Sequence, residues 1–436
     1  MRRWLLRWFP LATRAGRAFG ERFTPLGKWM CATCAIAGIF SADPSRTHAF
    51  IVFTATAALL VIAFVSSLVW RPRVTARRRL PACATQGQRA IYSVELHNAG
   101  RRRLPAFLVA DRLRLRYPTR EEFAAEVADA PEDNWFDRQV GFLRWQRLRQ
   151  RLQGATLATT PVTGLAAGET LSVELEVTPL RRGWLQFDAL RLLQPDPLGL
   201  CYAVLTLPLP DRLLCRPASV TMPAFDVPRP RAQARAHEHV QQRGQGLEFF
   251  ALRDYRPGDP LKHVDWRASA RRGQPVVRQF AIDARQPPLI AVDCAAARRA
   301  HADFEAMVSV AASLAVAMFG RGDAALALLA DDGASCSTLS DALDALAVLA
   351  PTPGDTLPAW HRLLAAASEV PVVIVCARWD APRAAALNDA TTSHAILVLC
   401  TDPDAVIGAP QVLAIAAPSV ELPPLAWPRV SSAHAS

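Results

Sequence analysis

Asp254, Asp259 and Asp265 stand among Arg253, Arg256, Lys262, Arg267, Arg271 and Arg272 in the stretch from Gly244 to Gly273, GQGLEFFALRDYRPGDPLKHVDWRASARRG. Charges that alternate in this way have two uses. Arginine and carboxylate satisfy one another through bidentate hydrogen bonds, and carboxylates that converge in a pocket serve as acid and base. The second use needs a nucleophile or a metal, and neither stands nearby in the sequence. Pro257 and Gly258 supply turn chemistry, the proline by fixing φ and the glycine by accepting φ > 0. Phe249, Phe250, Tyr255, Val264 and Trp266 are interleaved with the charges and need something to pack on. A solvated charged loop accounts for the composition, whereas a surface built for binding accounts for the aromatics as well.

The pattern G-x-E-F, L-R-D-Y-x-P-G-D, D-W and A-R-R-G resembles the signature of the domain-of-unknown-function family 58, a family of bacterial membrane proteins. Here it is filled by Gly246, Glu248-Phe249, Leu252-Arg253-Asp254-Tyr255, Pro257-Gly258-Asp259, Asp265-Trp266 and Ala270-Arg271-Arg272-Gly273. His263-Val264 is close to the Arg/Lys and Ile/Val that family members carry before Asp-Trp. Asp196-Pro197-Leu198-Gly199-Leu200 resembles a further turn of the family. The resemblance spans most of the chain, from the apolar segments to about residue 420. It implies a von Willebrand factor A-like domain and a MoxR-type AAA+ ATPase as partner, with no established reaction.

Charge and cysteine usage narrow the classes. The formal net charge is +11, but the excess lies in residues 1–28 and 71–79, beside the apolar segments. Residues 80–436 carry equal numbers of basic and acidic groups, 37 each, so nucleic acid is not the expected partner. Cys294, Cys376 and Cys400 sit inside apolar runs as small buried hydrophobes, which fits a reducing compartment. Cys31-Ala-Thr-Cys34 has redox spacing but lies in an apolar segment with no strand before it.

Thr47 to Trp70 has no Asp, Glu, Lys or Arg and is long enough to cross a core of ~30 Å. Leu26 to Ser41 is shorter and contains Lys28; Ala42 to Arg46 would join the two as a hairpin. Arginines flank both outer ends, so the positive-inside rule puts both termini of this multi-pass chain in the cytoplasm; the resemblance implies that the membrane is the bacterial inner membrane. The basic, aromatic N-terminus suits an arm lying on an anionic membrane surface; an unstructured positive flank fits equally. Alternating runs such as Ala90 to His97 and Leu171 to Val177 predict strands. Pro288 to Cys294, Ala324 to Ala330, Pro371 to Ala377 and Ala395 to Cys400 predict buried strands between helices, and therefore a parallel sheet. The expected organisation is a basic cytoplasmic arm (1–25), two transmembrane helices (26–70) and an immunoglobulin-like β-sandwich (80–224) with a helical insertion near 119–153. A linker and signature segment (225–287), a doubly wound α/β domain resembling von Willebrand factor A (288–420) and a loose tail (421–436) complete it.

Ligands bind such sheets at the carboxyl ends of the strands. Asp293 ends the first strand, where a von Willebrand factor A-like domain begins its metal site with Asp-x-Ser-x-Ser. This chain has Ala295 and Ala297 at the serine positions, too few oxygens for a hard cation. Thr356 stands where that family's threonine is expected, and Asp380 is close to its acidic position. A metal-dependent adhesion module would need Asp293 and Thr356 to meet another oxygen ligand; no metal or cofactor is expected.

The expected function is a non-enzymatic, membrane-anchored adaptor or scaffold working with the ATPase and other membrane-complex proteins in assembly or maturation of envelope proteins. Arg253, Asp254, Tyr255, Gly258, Asp259, Asp265, Trp266 and Arg271 are the candidate protein-docking residues. The same residues could instead clamp the linker onto the sheet. The competing class is a hydrolase-like enzyme using the carboxylates of the signature.

Overall fold

The structure, a computed structural model, describes residues 5–41, 47–114, 116–119, 123, 141–220, 248–256, 259, 261, 264–281, 288–296, 301–320, 324–329, 335–352, 354–366, 371–390, 396–401 and 412–414. These fall into two compact units, 1–219 with 343–349 and 220–342 with 350–436. The connection at 42–46, most of the expected insertion, the linker at 225–247, Pro257, Gly258, Ala297 and the tail at 421–436 lie outside the described residues.

Three helices open the first unit: α1 (Leu5–Arg22), α2 (Pro25–Phe40) and α3 (Thr47–Val69). Among the described residues, His48–Val69 is the one helix long and apolar enough to cross a membrane. The 16 residues of α2 reach only ~24 Å at 1.5 Å per residue, short of a ~30 Å core. By length, one of the two expected spans qualifies. α2 lies beside α3, and Gly38 leaves room for the Phe53 ring, which a Cβ there would meet at 3.2 Å.

The corner between α1 and α2 is built on the Asp196–Leu200 turn. The Thr24 hydroxyl donates to the Gly199 carbonyl (2.6 Å) and accepts from the Gly27 N–H (3.0 Å). Gly27 presses so closely on Leu200 that a Cβ would stand 1.9 Å from its carbonyl oxygen, so only glycine fits. The Asp196 carboxylate accepts from the N–H groups of Leu198 and Cys201 and holds the turn in shape.

Beyond α3 the unit is a two-sheet sandwich. Strands β1 (Val74–Arg79), β3 (Ala90–Asn98), β7 (Thr170–Pro179) and β5 (Ala155–Leu157) form one sheet in that order. The other runs β2 (Cys83–Thr85), β9 (Tyr202–Arg216), β8 (Gly183–Pro195), β4 (Phe107–Leu113) and β6 (Thr159–Val162). Alternation turns Tyr92, Val94, Leu96 and Val173, Leu175, Val177 inward against Val109, Phe187, Leu190 and Leu192. A buried Arg78–Asp111 pair crosses this core, bidentate at 2.9 and 2.6 Å, with the Tyr92 hydroxyl donating to the same carboxylate at 2.8 Å. Of the helical insertion expected near 119–153, the described residues include α4 (Phe142–Gln153).

The second unit begins with a departure from expectation. The signature is neither loop nor linker: β10 (Glu248–Asp254) pairs antiparallel with β11 (Val276–Ala281), and α5 (Trp266–Arg272) lies between them in the chain. A bulge between Phe249 and Ala251 breaks the period-two pattern of β10, and the partner strand is distant in sequence. The remainder contains β12 (Leu289–Asp293), α6 (His301–Phe319), β13 (Ala325–Leu329), β14 (Ser335–Cys336), the start of α7 (Leu339–Val348), whose residues from 343 onward belong to the first unit, α8 (Leu357–Ala366), β15 (Val372–Cys376), α9 (Ala381–Ala390), β16 (Ile396–Cys400) and β17 (Val412–Ala414). The sheet order is β14-β13-β12-β15-β16-β17, with β14 alone antiparallel. Every residue of β15 and β16 is buried, as expected for parallel strands covered on both faces. Trp360 and Leu364 of α8 and Leu387 of α9 pack on one of those faces.

Candidate functional site

Two places in the second unit concentrate charged side chains: the body formed by β10, α5 and β11, and the carboxyl end of β12. In the first, Arg253 reaches from the end of β10 to Asp259, bidentate at 2.7 and 2.6 Å, and the Arg256 N–H donates to the same carboxylate at 2.9 Å. The Arg253 hydrogen bond, followed by the Arg256 N–H, lowers the Asp259 carboxyl to a pKa of about 2. The same bond raises the Arg253 guanidinium further. This pair closes the turn that leaves β10.

Asp265 is the N-cap of α5. Its carboxylate accepts from the N–H groups of Arg267 (3.1 Å) and Ala268 (3.0 Å), satisfying donors that have no partner within the helix. The Asp265 N–H donates to the Val276 carbonyl at 2.9 Å. Ser269 completes the link to β11, donating its hydroxyl to the Asp265 carbonyl (2.7 Å) and accepting from the Val276 N–H (2.9 Å). Beneath them Val264, Val276 and Val277 are buried, and the Tyr255 N–H donates to the Pro275 carbonyl at 2.9 Å. Gly273, at φ +68°, ends the helix in the left-handed conformation that glycine favours.

The expected docking residues therefore separate into two groups. Arg253, Asp259 and Asp265 are committed internally, within the turn after β10 and the cap of α5, and Tyr255 is half-buried. Asp254, Trp266 and Arg271 face solvent, Trp266 with 66% of its surface accessible. Gly258 lies outside the described residues. Three exposed residues beside them were not among the candidates: Leu261, Arg267 and Arg272. Their signal was available in the sequence, since a helix of composition WRASARR after an Asp N-cap carries three arginines and no acid.

At the carboxyl end of β12 the picture is the reverse. The parallel strands run β13-β12-β15-β16-β17, an order that reverses between β12 and β15, and such switch points are where doubly wound sheets open a crevice. Asp293 occupies that point with 0% exposure. Its Oδ1 accepts from the Thr356 hydroxyl (2.7 Å) and the Ala295 N–H (3.0 Å), and its Oδ2 accepts from Arg383 Nε (2.9 Å). Arg383, 2% exposed, also donates through Nη2 to Thr356 Oγ1 (2.8 Å) and through Nη1 to Asp380 Oδ2 (2.8 Å). Burial opposes the charge on this guanidinium, yet Asp293 and Asp380 outweigh it and hold the group more firmly protonated than usual. Burial likewise opposes ionisation of Asp380, and Arg383 reverses the effect, so that its carboxyl titrates below its ordinary range.

The oxygens at this position do meet, as an adhesion-type metal site would require of Asp293 and Thr356. What they meet around is the guanidinium of Arg383. A divalent cation would have to displace a charge that already makes three side-chain hydrogen bonds, so the residues present do not fit a metal. Sequence reasoning singled out Asp293, Thr356 and Asp380 and missed Arg383. The signal was Asp380-x-x-Arg383 at a helix start, a spacing too common to stand out.

Comparison with known proteins adds a family match over part of the chain. Residues 251–368, from β10 through α8, match the family described as "Protein of unknown function DUF58"; this span is narrower than the expected resemblance, which ran from the apolar segments to about residue 420. No curated protein matches the chain. Solved structures similar to parts of it include the CARDB domain of a Pyrococcus furiosus protein in complex with di-metal ions, at 12% identity over 33% of this chain and 88% of that one with a TM-score of 0.17. An ASH/PapD-like domain of human CEP192 is 12% identical over 34% and 84% of the two chains, with a TM-score of 0.16. Likenesses at these scores carry no argument.

Proposed function

We propose that this chain is a non-enzymatic adaptor, anchored in the bacterial inner membrane by α2 and α3 as a hairpin, with α5 as the centre of a cytoplasmic protein-docking surface. The observation that carries the proposal is the state of α5. Trp266 is two-thirds exposed, and Arg267, Arg271 and Arg272 are exposed on the same helix with no salt bridge to any described carboxylate. Exposed tryptophan and arginine are the residue types that dominate binding energy in protein interfaces. The helix carrying them is capped at both ends and tied to β11, so little order has to be gained on binding. The signature shared with the domain-of-unknown-function family favours a MoxR-type AAA+ ATPase as the partner. It also favours a von Willebrand factor A-like reading of the parallel sheet, in which Arg383 has taken the place of the cation.

Catalysis by the signature is the weaker reading, because its carboxylates do not converge: Asp259 is held by Arg253 and Asp265 by the α5 backbone. The test is co-purification from detergent-solubilised membranes, with and without ATP, of wild type against Trp266→Ala/Arg271→Glu. Loss of an AAA+ ATPase from the variant alone supports the proposal. Recovery of the same partners with both proteins rejects α5 as the docking surface.

A further inference from the structure

We propose that α1 is a two-sided interfacial helix. One side holds the helical insertion of the sandwich, and the other enters the headgroup region of an anionic phospholipid leaflet. This inference rests on the α2–α3 hairpin of the proposed function, which keeps α1 and the sandwich on the same side of the bilayer, and is independent of what α5 binds.

The inner side is fixed by contacts. Phe9 is buried, its ring centroid 5.5 Å from that of Phe142 and 5.7 Å from that of Trp145 on α4. Arg14 donates to the Tyr117 hydroxyl at 3.3 Å and lies over its ring. Glu21 joins Arg17 of the same helix to Arg191 of β8. These contacts set the rotation of α1 about its own axis, and with it the stripe that faces away from the insertion. That stripe is Trp8, Leu11, Ala15 and Phe19, spaced three, four and four residues apart, the repeat of one helical face. All four are exposed, Trp8 at 58%, Leu11 at 52% and Phe19 at 45%. Exposed Leu26 and Trp29 continue apolar surface into α2.

A row of large apolar side chains beside a membrane-crossing helix is suited to lipid, and the charge specifies which lipid. α1 and α4 each carry four arginines, and the one acidic residue in either helix is Glu21. Arginine-rich amphipathic helices lie in the plane of the interface, with the apolar face in the acyl boundary and the cations among anionic headgroups.

The experiment is hydrogen exchange on the full chain in nanodiscs of phosphatidylcholine alone and of phosphatidylcholine with phosphatidylglycerol, roughly three to one. Amides of residues 8–22 are expected to exchange about tenfold more slowly with the anionic lipid, and the difference should shrink in ~0.5 M salt. The variant Leu11→Glu/Phe19→Glu should abolish the slowing while amides of β3 and β8 stay unchanged; the wild-type lipid comparison decides the matter if the variant misfolds. Equal exchange in the two discs overturns the proposal. So does protection that appears in lipid-free detergent and grows with protein concentration, which would assign the stripe to a second copy of the chain.

Discussion

The switch-point crevice and the α5 surface are built from the same residue types, aspartate and arginine, at element ends in one compact unit. They differ in what is left over. At the crevice the charges have been used: Asp293, Asp380 and Arg383, with the Thr356 hydroxyl, satisfy one another, and all but the partly exposed Asp380 are buried. At α5 the carboxylates have been used, in a clamp and a cap, and Trp266, Arg267, Arg271 and Arg272 remain on the outside. The lesson is that a place in the fold where ligands usually bind is not sufficient for a site. A buried, fully paired network holds structure together, and an ordered surface with unspent cations and an aromatic is what a partner can use.

Substitutions should separate the two regions by stability and binding. Arg383→Ala leaves Asp293 buried without its cation, so it should destabilise the second unit by about 3–5 kcal/mol, read from urea unfolding; a loss below ~1 kcal/mol would mean that water reaches the crevice. Asp265→Ala removes the α5 cap and should cost about 1 kcal/mol, with faster hydrogen exchange confined to α5 and the start of β11. Trp266→Ala should change stability by no more than ~0.5 kcal/mol while partner recovery falls. If its melting temperature drops with the binding, the tryptophan belongs to the clamp as well.

The smallest effect concerns pH. Asp259 is depressed from its ordinary value of 3.8 to about 2 by Arg253. Its folded pKa lies below its unfolded one, so the stability it contributes is present above about pH 4 and is lost as pH falls through about 2. An NMR titration of its carboxyl carbon should therefore show no step near pH 4. A midpoint there would mean that the clamp is open in solution.

How far the sequence revealed this molecule depended on whether its signals were local. α3 was legible because composition alone defines an apolar helix, and β3, β7, β12, β15 and β16 because alternation or continuous burial is written along each strand. β9 was not, since Pro208 and Pro210 within Tyr202–Arg216 break the strand signature. β10 and β11 escaped because a bulge interrupts one and their pairing spans more than twenty intervening residues. At the sites, the residue types of the signature were apparent from the start, whereas their division into clamp, cap and exposed face depends on hydrogen bonds that no spacing encodes. Arg383 was hidden for the same reason: its partners come from β12, the start of α8 and the residue before α9.

Photo-crosslinking in intact cells distinguishes the two regions, with a benzophenone amino acid placed at position 266 on α5 or at position 296, an exposed alanine beside the crevice. The docking account expects a discrete crosslinked protein from position 266, lost when Arg271→Glu is added, and none from position 296. A partner captured from position 296 and not from 266 would contradict it and return the binding site to the carboxyl end of the sheet.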